Sequence, residues 1–172
     1  MDRYDFAALT FLEEASDEDW MCFARLYLDN FHKPLGLWMV HQRRCPEAVA
    51  LALYWYSQPG VCSKYQGKTI PSYHYVEFSA FKAVGRYFST GFYRVTDLGF
   101  DPSSDPTDPM RDGSSHDWTE GLQEDAHVPR KMFSAVQGRS LDALAATENW
   151  REGLPPHLAE LVFDQPDSEG AP

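Results

Sequence analysis

Ala48-Val49-Ala50-Leu51-Ala52-Leu53-Tyr54-Trp55-Tyr56 is apolar almost all the way round a helix. Such a helix is stable only when other elements cover it on every side, so this stretch is expected to be the central helix of the core. Cys45-Pro46-Glu47 restarts the chain just before it, and Ser57-Gln58-Pro59-Gly60 breaks it. A fold built round such a helix needs further helices to wrap it, and the flanking sequence supplies them.

Upstream, residues 4–15 read as a short helix with Phe6, Leu9 and Leu12 or Phe11 on one side. Ser16 is a candidate N-cap for the next helix. Asp17, Glu18 and Asp19 fill its first turn, where the helix dipole favours negative charge. Trp20, Phe23, Ala24, Tyr27 and Leu28 then follow amphipathic spacing until Asp29-Asn30. Pro34 suits the first turn of a third helix carrying Leu35, Leu37, Trp38, Met39 and Val40, with Arg43 and Arg44 in its last turn.

Downstream, residues 61–71 read as a loop. A helix is predicted over 75–89 with Phe78, Phe81, Val84 and Phe88 inward, and Gly91 stops it. Phe92-Tyr93-Arg94-Val95-Thr96 is the best strand candidate, being aromatic and β-branched. A strand needs a partner, and Leu98-Gly99-Phe100 is one. Short helices are expected at 118–123, at 128–136 with Pro129 in the first turn, and at 140–149 capped by Ser140. A last helix runs from Pro155-Pro156 through Phe163, and 164–172 reads as a frayed, disordered tail. The fold class that follows is mainly α: a compact single helical domain over 1–163, with a minor β element near 92–100.

The totals agree with a folded domain. The 172 residues are 43% hydrophobic and 15% aromatic, too apolar for a disordered chain. A formal net charge of −11 argues against nucleic acid and against anionic membrane surfaces, since both would repel it. No stretch approaches the roughly 20 apolar residues of a membrane span. Met1-Asp2-Arg3-Tyr4-Asp5 leads into no signal-peptide core. Cys22, Cys45 and Cys62 are an odd number without paired spacing, which fits a reducing compartment, so a cytoplasmic location is expected.

The charge is concentrated. Residues 97–125 carry nine carboxylates against one cation, Arg111, for a local charge of −8. Leu98, Phe100, Met110, Trp118 and Leu122 are interleaved with them, so the stretch is not a plain solvated tail. An aromatic anchor among carboxylates has the composition of a binding hot spot, and the negative field would steer a basic partner. The residues expected to contact that partner are Asp105, Asp108, Asp112, Asp117, Trp118 and Glu120. The bland alternative is a solvated charge run.

Other chemistry finds less support. No Cys-x-x-Cys, His-x-x-x-His or His-Glu-x-x-His pair is present, so no metal site is expected and a buried thiol is the better reading of Cys22. Asp101, Asp105, Asp108 and Asp112 resemble a Ca²⁺ ligand set in composition, but the 12-residue loop spacing with its terminal Glu is not matched. There is no Gly-x-Ser-x-Gly elbow, and the glycines are spaced as element ends rather than as a phosphate cradle. No cofactor is expected. Ser114-Ser115-His116-Asp117 is the nearest thing to a catalytic cluster, and it would make the chain a small hydrolase working through His116 and Asp117.

One family pattern runs through much of the chain. It is carried by Asp19-Trp20, by Phe23-Ala24-Arg25-Leu26-Tyr27, by Leu37-Trp38-Met39-Val40, by Arg44-Cys45-Pro46-Glu47-Ala48, and by Leu51-Ala52-Leu53-Tyr54-Trp55 with Pro59. Gly91-Phe92-Tyr93, Phe100-Asp101-Pro102 and residues 129–138 extend it. Over about 16–140 the chain resembles the bacterial domain-of-unknown-function family 4274. Pro46 stands where that pattern has Asp, and Asp29-Asn30-Phe31-His32 stands where it has Asn-Trp-Asp, so no site is carried over. The resemblance implies a small bacterial cytoplasmic protein. By analogy of size and charge, such proteins serve as immunity partners of secreted toxins. The expected function is therefore an acidic binding protein that occludes the active cleft of a basic toxin domain. The alternatives are the hydrolase above and a structural or adaptor domain whose aromatics are all core.

Overall fold

The computed structural model describes residues 3–26, 33–106, 115–151 and 154–164. Among them the α-helices are α1 (Arg3–Glu14), α2 (Asp17–Leu26), α3 (Lys33–Val40), α4 (Glu47–Tyr56), α5 (Pro59–Cys62), α6 (Tyr75–Tyr87), α7 (Ala143–Ala146) and α8 (Pro156–Phe163). The fold is mainly α. No helix among the described residues is long and apolar enough to cross a membrane.

Every residue of α4 from 48 to 56 is buried, as its lack of a polar face requires. The helices α2, α3 and α6 pack against α4, and α3 also packs on α6. The first helix, α1, lies beside the last, α8, which brings the two ends of the described chain together. Burying a large side chain such as Leu51, Leu53 or Trp55 stabilises by about 1.5–3 kcal/mol each, so this one helix anchors much of the core.

The polar tips of three buried aromatics find backbone acceptors, whereas the buried Tyr54 hydroxyl has no partner among the described residues. Trp55 donates its indole N–H to the Met132 carbonyl at 2.9 Å, which holds the 130–133 turn on α4. Tyr93 donates to the Val40 carbonyl at 2.9 Å, and Trp20 to that of Leu12 at 3.1 Å. Ser16 caps α2 as expected: its hydroxyl accepts the Asp19 N–H at 3.2 Å, and the Asp19 carboxylate accepts the Ser16 N–H at 3.0 Å.

Several local expectations are corrected. The stretch 92–96 forms no strand among the described residues. Arg94 makes a single parallel bridge to Pro46, with Arg94 N–H to the Cys45 carbonyl at 3.0 Å and Glu47 N–H to the Arg94 carbonyl at 2.9 Å. Leu98 and Phe100 pair with Arg139 and Val136 instead of with 92–96. These are isolated bridges rather than a sheet, because each segment leaves its partner after one or two residues. Helix α3 ends at Val40, so Arg43 and Arg44 lie beyond its last turn. The Arg44 guanidinium sits 5.4 Å from the Trp20 ring and donates to the Glu13 carbonyl.

Residues 61–71 are not all loop: α5 and the 3₁₀ turn Ser63–Tyr65 fall there. Residues 118–123 form turns, not a helix, and 128–136 holds only the 3₁₀ turn Arg130–Phe133. The helix expected from Ser140 shrinks to α7, and Asp142 rather than Ser140 accepts its cap N–H, from Ala145 at 3.1 Å. The expected end of α2 at Asp29-Asn30 and the 164–172 tail beyond Asp164 lie outside the described residues.

Candidate functional site

The acidic segment is tied to the core at one buried carboxylate. Asp105 is 1% exposed, and its Oδ2 accepts the Tyr56 hydroxyl at 2.8 Å and the Trp118 indole N–H at 3.0 Å. Tyr56 is the last residue of α4, so the core helix itself supplies the donor. The backbones of Asp105 and His116 pair reciprocally, at 2.9 and 2.8 Å, and Trp118 N–H reaches the Pro102 carbonyl at 2.8 Å. Residues on the two sides of 107–114 are thereby clamped together.

This changes the roles expected of two residues. Asp105 is turned inward and does not present its carboxylate on the surface. Trp118 is half-buried, its N–H is spent on Asp105, and its ring packs edge-on against Tyr56 at 5.3 Å and His116 at 4.3 Å. The physical reason is that a buried carboxylate requires donors, and an indole supplies one together with apolar bulk. Asp117 and Glu120 remain exposed. Asp108 and Asp112 lie outside the described residues.

Other carboxylates of the segment shape the local backbone. Asp101 Oδ1 accepts the Ser103 N–H at 2.9 Å and hydroxyl at 2.7 Å. Asp117 Oδ1 does the same for Thr119, at 2.8 and 2.6 Å. These are Asx turns, a common use of Asp where a chain must reverse. The Ser63 hydroxyl draws the Asp125 carboxyl below its usual range, aided by the His127 N–H at 2.9 Å. Arg139 bridges Glu18 of α2 at 2.7 Å and Asp97 at 3.5 Å, so one carboxylate of the cluster is matched by the chain's own cation. Glu120 and Glu124 are exposed and form no ion pair among the described residues.

His116 and Asp117 do not assemble as a catalytic pair. The Asp117 carboxylate serves Thr119, while the His116 ring lies edge-on to Trp118. Among the described residues no cluster of three or more His, Cys, Asp or Glu is arranged to hold a metal. The three thiols are free and buried. Burial pushes Cys22 and Cys62 up to about 12 and raises Cys45 further, so all stay protonated at neutral pH.

A cavity of about 250 Å³ opens beside Asp105, lined by Met21, Arg25, Tyr56, Phe100, Val136 and Leu141 among others. Its floor is where Gly99 and Gly138 back onto each other. A Cβ on Gly138 would stand 2.4 Å from the Asp97 carbonyl oxygen, and one on Gly99 would stand 2.8 Å from that of Gly138. Arg25 is 3% exposed, and neither Nε nor Nη1 has a hydrogen-bond partner among the described residues. Sequence reasoning passed over Arg25. Its signal was an arginine four residues after Met21 and three after Cys22, which places it beside two apolar residues on one helix face.

Comparison of the chain with protein-family models, with curated proteins and with solved structures gives no match.

Proposed function

We propose that this chain is a cytoplasmic binding protein that engages a basic protein partner through its acidic segment, as an immunity protein covering the active cleft of a cognate secreted toxin. One observation carries the reading. The turns bearing Asp117, Glu120 and Glu124 are anchored to α4 through Tyr56, Asp105 and Trp118, while those three carboxylates stay exposed. Negative charge held on a fixed support loses little entropy when a cationic surface docks, and it orients the encounter. The net charge of −11 gives the same sign to the wider field. Occlusion needs no nucleophile or metal, and three buried thiols suit a reducing cytoplasm. The resemblance to family 4274 adds a bacterial setting.

The test is binding of the basic secreted protein encoded beside this chain, measured at low and high salt. The Glu120→Lys, Glu124→Lys double variant should bind about tenfold more weakly at low salt and leave the melting temperature unchanged. Equal affinity for wild type and double variant, or a neighbourhood with no basic secreted protein together with no capture of cationic proteins at low salt, overturns the reading.

A further inference from the structure

Residues 61–90 carry Lys64, Lys68, Lys82 and Arg86 against a single carboxylate, Glu77, in a chain whose net charge is −11. Glu77 is buried and paired with Lys33, so its charge is already matched. This basic stretch borders a groove of about 670 Å³, within the ~300–1,000 Å³ of small-molecule sites. Four basic side chains line the groove, His41, Lys82, Arg86 and His127, and no Asp or Glu among the described residues does. Lys82 and Arg86 are one turn apart on the same face of α6, both exposed, and neither forms an ion pair among the described residues. Lys82 Nζ donates to the neutral Gln66 Oε1 at 3.2 Å. Arg86 and His41 converge on Tyr87, the guanidinium carbon and the imidazole each standing 5.8 Å from the centre of its ring. Asp125 is close in sequence to His127 but is not part of the lining, and its carboxylate takes the Ser63 hydroxyl and the His127 N–H.

We propose that this groove binds a small aromatic phosphate monoester. Two permanent cations on one helix face match the charge of a phosphate dianion, and the Arg86 guanidinium matches its oxygens with a fork of donors. His41 and His127 add donors at the same rim. The body of the ligand meets apolar surface from Ala83, Tyr87 and Pro129, and Gly85 leaves the bed between them without a side chain. The bed is firm. Tyr54 lies beneath Gly85, its ring carbon 3.9 Å from where a Cβ would stand, and is stacked on Phe81 at 5.3 Å in the core. A ring settling on such a bed gains contact area at little cost in order. Physiological salt screens charges beyond about 8 Å, so the bases of the rim outweigh the net charge of the chain for an anion seated among them. This site uses none of the exposed carboxylates assigned to the protein partner.

The experiment is calorimetry and ¹H–¹⁵N NMR on the full chain at physiological salt with phenyl phosphate, benzoate, phenol and inorganic phosphate. Phenyl phosphate should bind saturably and shift the amide signals of Ala83, Gly85 and Tyr87. Benzoate, phenol and inorganic phosphate should each bind at least about tenfold more weakly, since each lacks the dianion or the ring. The Lys82→Glu, Arg86→Glu double variant should lose at least about tenfold in affinity with an unchanged melting temperature, because both side chains are exposed. Gly85→Leu should lose as much by filling the bed with all four bases intact. Its Cβ meets the Tyr54 ring at an ordinary contact distance, so this variant folds and separates loss of space from loss of charge. Lys68→Glu, exposed in the same basic stretch but outside the lining, should bind as wild type does. No saturable binding of phenyl phosphate, equal binding of benzoate, phenol or inorganic phosphate, or unchanged affinity in the double variant or in Gly85→Leu would each overturn the proposal. So would a loss in Lys68→Glu equal to that of the double variant, which would show diffuse attraction in place of a site.

Discussion

The Tyr56 hydroxyl, at the C-terminal end of the core helix, donates to Asp105 Oδ2 at 2.8 Å, and the Trp118 indole donates to the same oxygen at 3.0 Å. A single buried carboxylate thus joins the most apolar part of the chain to its most acidic part. The geometry makes Asp105 a structural keystone, while charge available to a partner rests with its exposed neighbours.

Asp105→Ala should destabilise the protein by about 3 kcal/mol, since it strands two donors in a dry site. Asp105→Asn should cost less, about 1–2 kcal/mol, because an amide oxygen can replace one acceptor. Urea denaturation followed by tryptophan fluorescence checks both. A loss within about 0.5 kcal/mol for the alanine variant would show that the tie contributes little.

Gly138→Ala should cost about 2–3 kcal/mol, because its Cβ would lie 2.4 Å from the Asp97 carbonyl oxygen and 2.6 Å from the Leu98 carbonyl carbon. Gly67 offers the control. Its φ of +72° is in the left-handed region, but nothing lies within 4 Å of its would-be Cβ, so Gly67→Ala should cost only about 1 kcal/mol. The difference between the two stability losses measures the backbone clash together with the greater strain of an alanine at the Gly138 φ of +157°.

Lys33 pairs with Glu77, whose side chain is 7% exposed and whose Oε2 has no partner among the described residues. Lys33→Met should destabilise by about 3 kcal/mol by leaving that carboxylate buried and uncompensated. The double variant Lys33→Met, Glu77→Leu should recover most of the loss, because both charges are then gone. A thermal-melt double-mutant cycle reads the coupling directly.

The buried thiols predict a pH limit. Cys22 and Cys62 have folded-state values raised from 9.0 to about 12, chiefly by burial. Between those values the unfolded chain releases protons that the folded chain keeps. The stabilising contribution is therefore complete below pH about 9 and lost as pH rises towards 12. Burial of Tyr54 and Tyr93 acts in the same direction. A pH series of denaturation midpoints should fall in this range. Thiol titration with an aromatic disulfide should detect no fast-reacting cysteine in the native protein at pH 8 and all three after unfolding.

Much of the helical frame was legible without coordinates. The stretches at α1, α2, α4, α6 and α8 declare themselves through periodicity, the Ser16 cap or proline placement. The inner face read for α6 (Phe78, Phe81, Val84 and Phe88) packs on the core, but the reading left out one residue. Glu77 points inward with Lys33 as its partner, and that partner comes from 44 residues away. The acidic segment failed in a similar way. Its composition implied exposed carboxylates round an exposed tryptophan, but a solvent-free Tyr56 hydroxyl was waiting for an acceptor, and Asp105 supplied it.

Local chemistry, then, was enough to establish that the chain is helical, that 48–56 is its centre and that negative charge gathers in 97–125, because period, propensity and charge are properties of neighbours along the chain. Which carboxylate is buried, where Arg25 points and why Gly99 and Gly138 must lack side chains were decided only in three dimensions. Each depends on groups that are distant in sequence and meet only when α4 is covered on all sides.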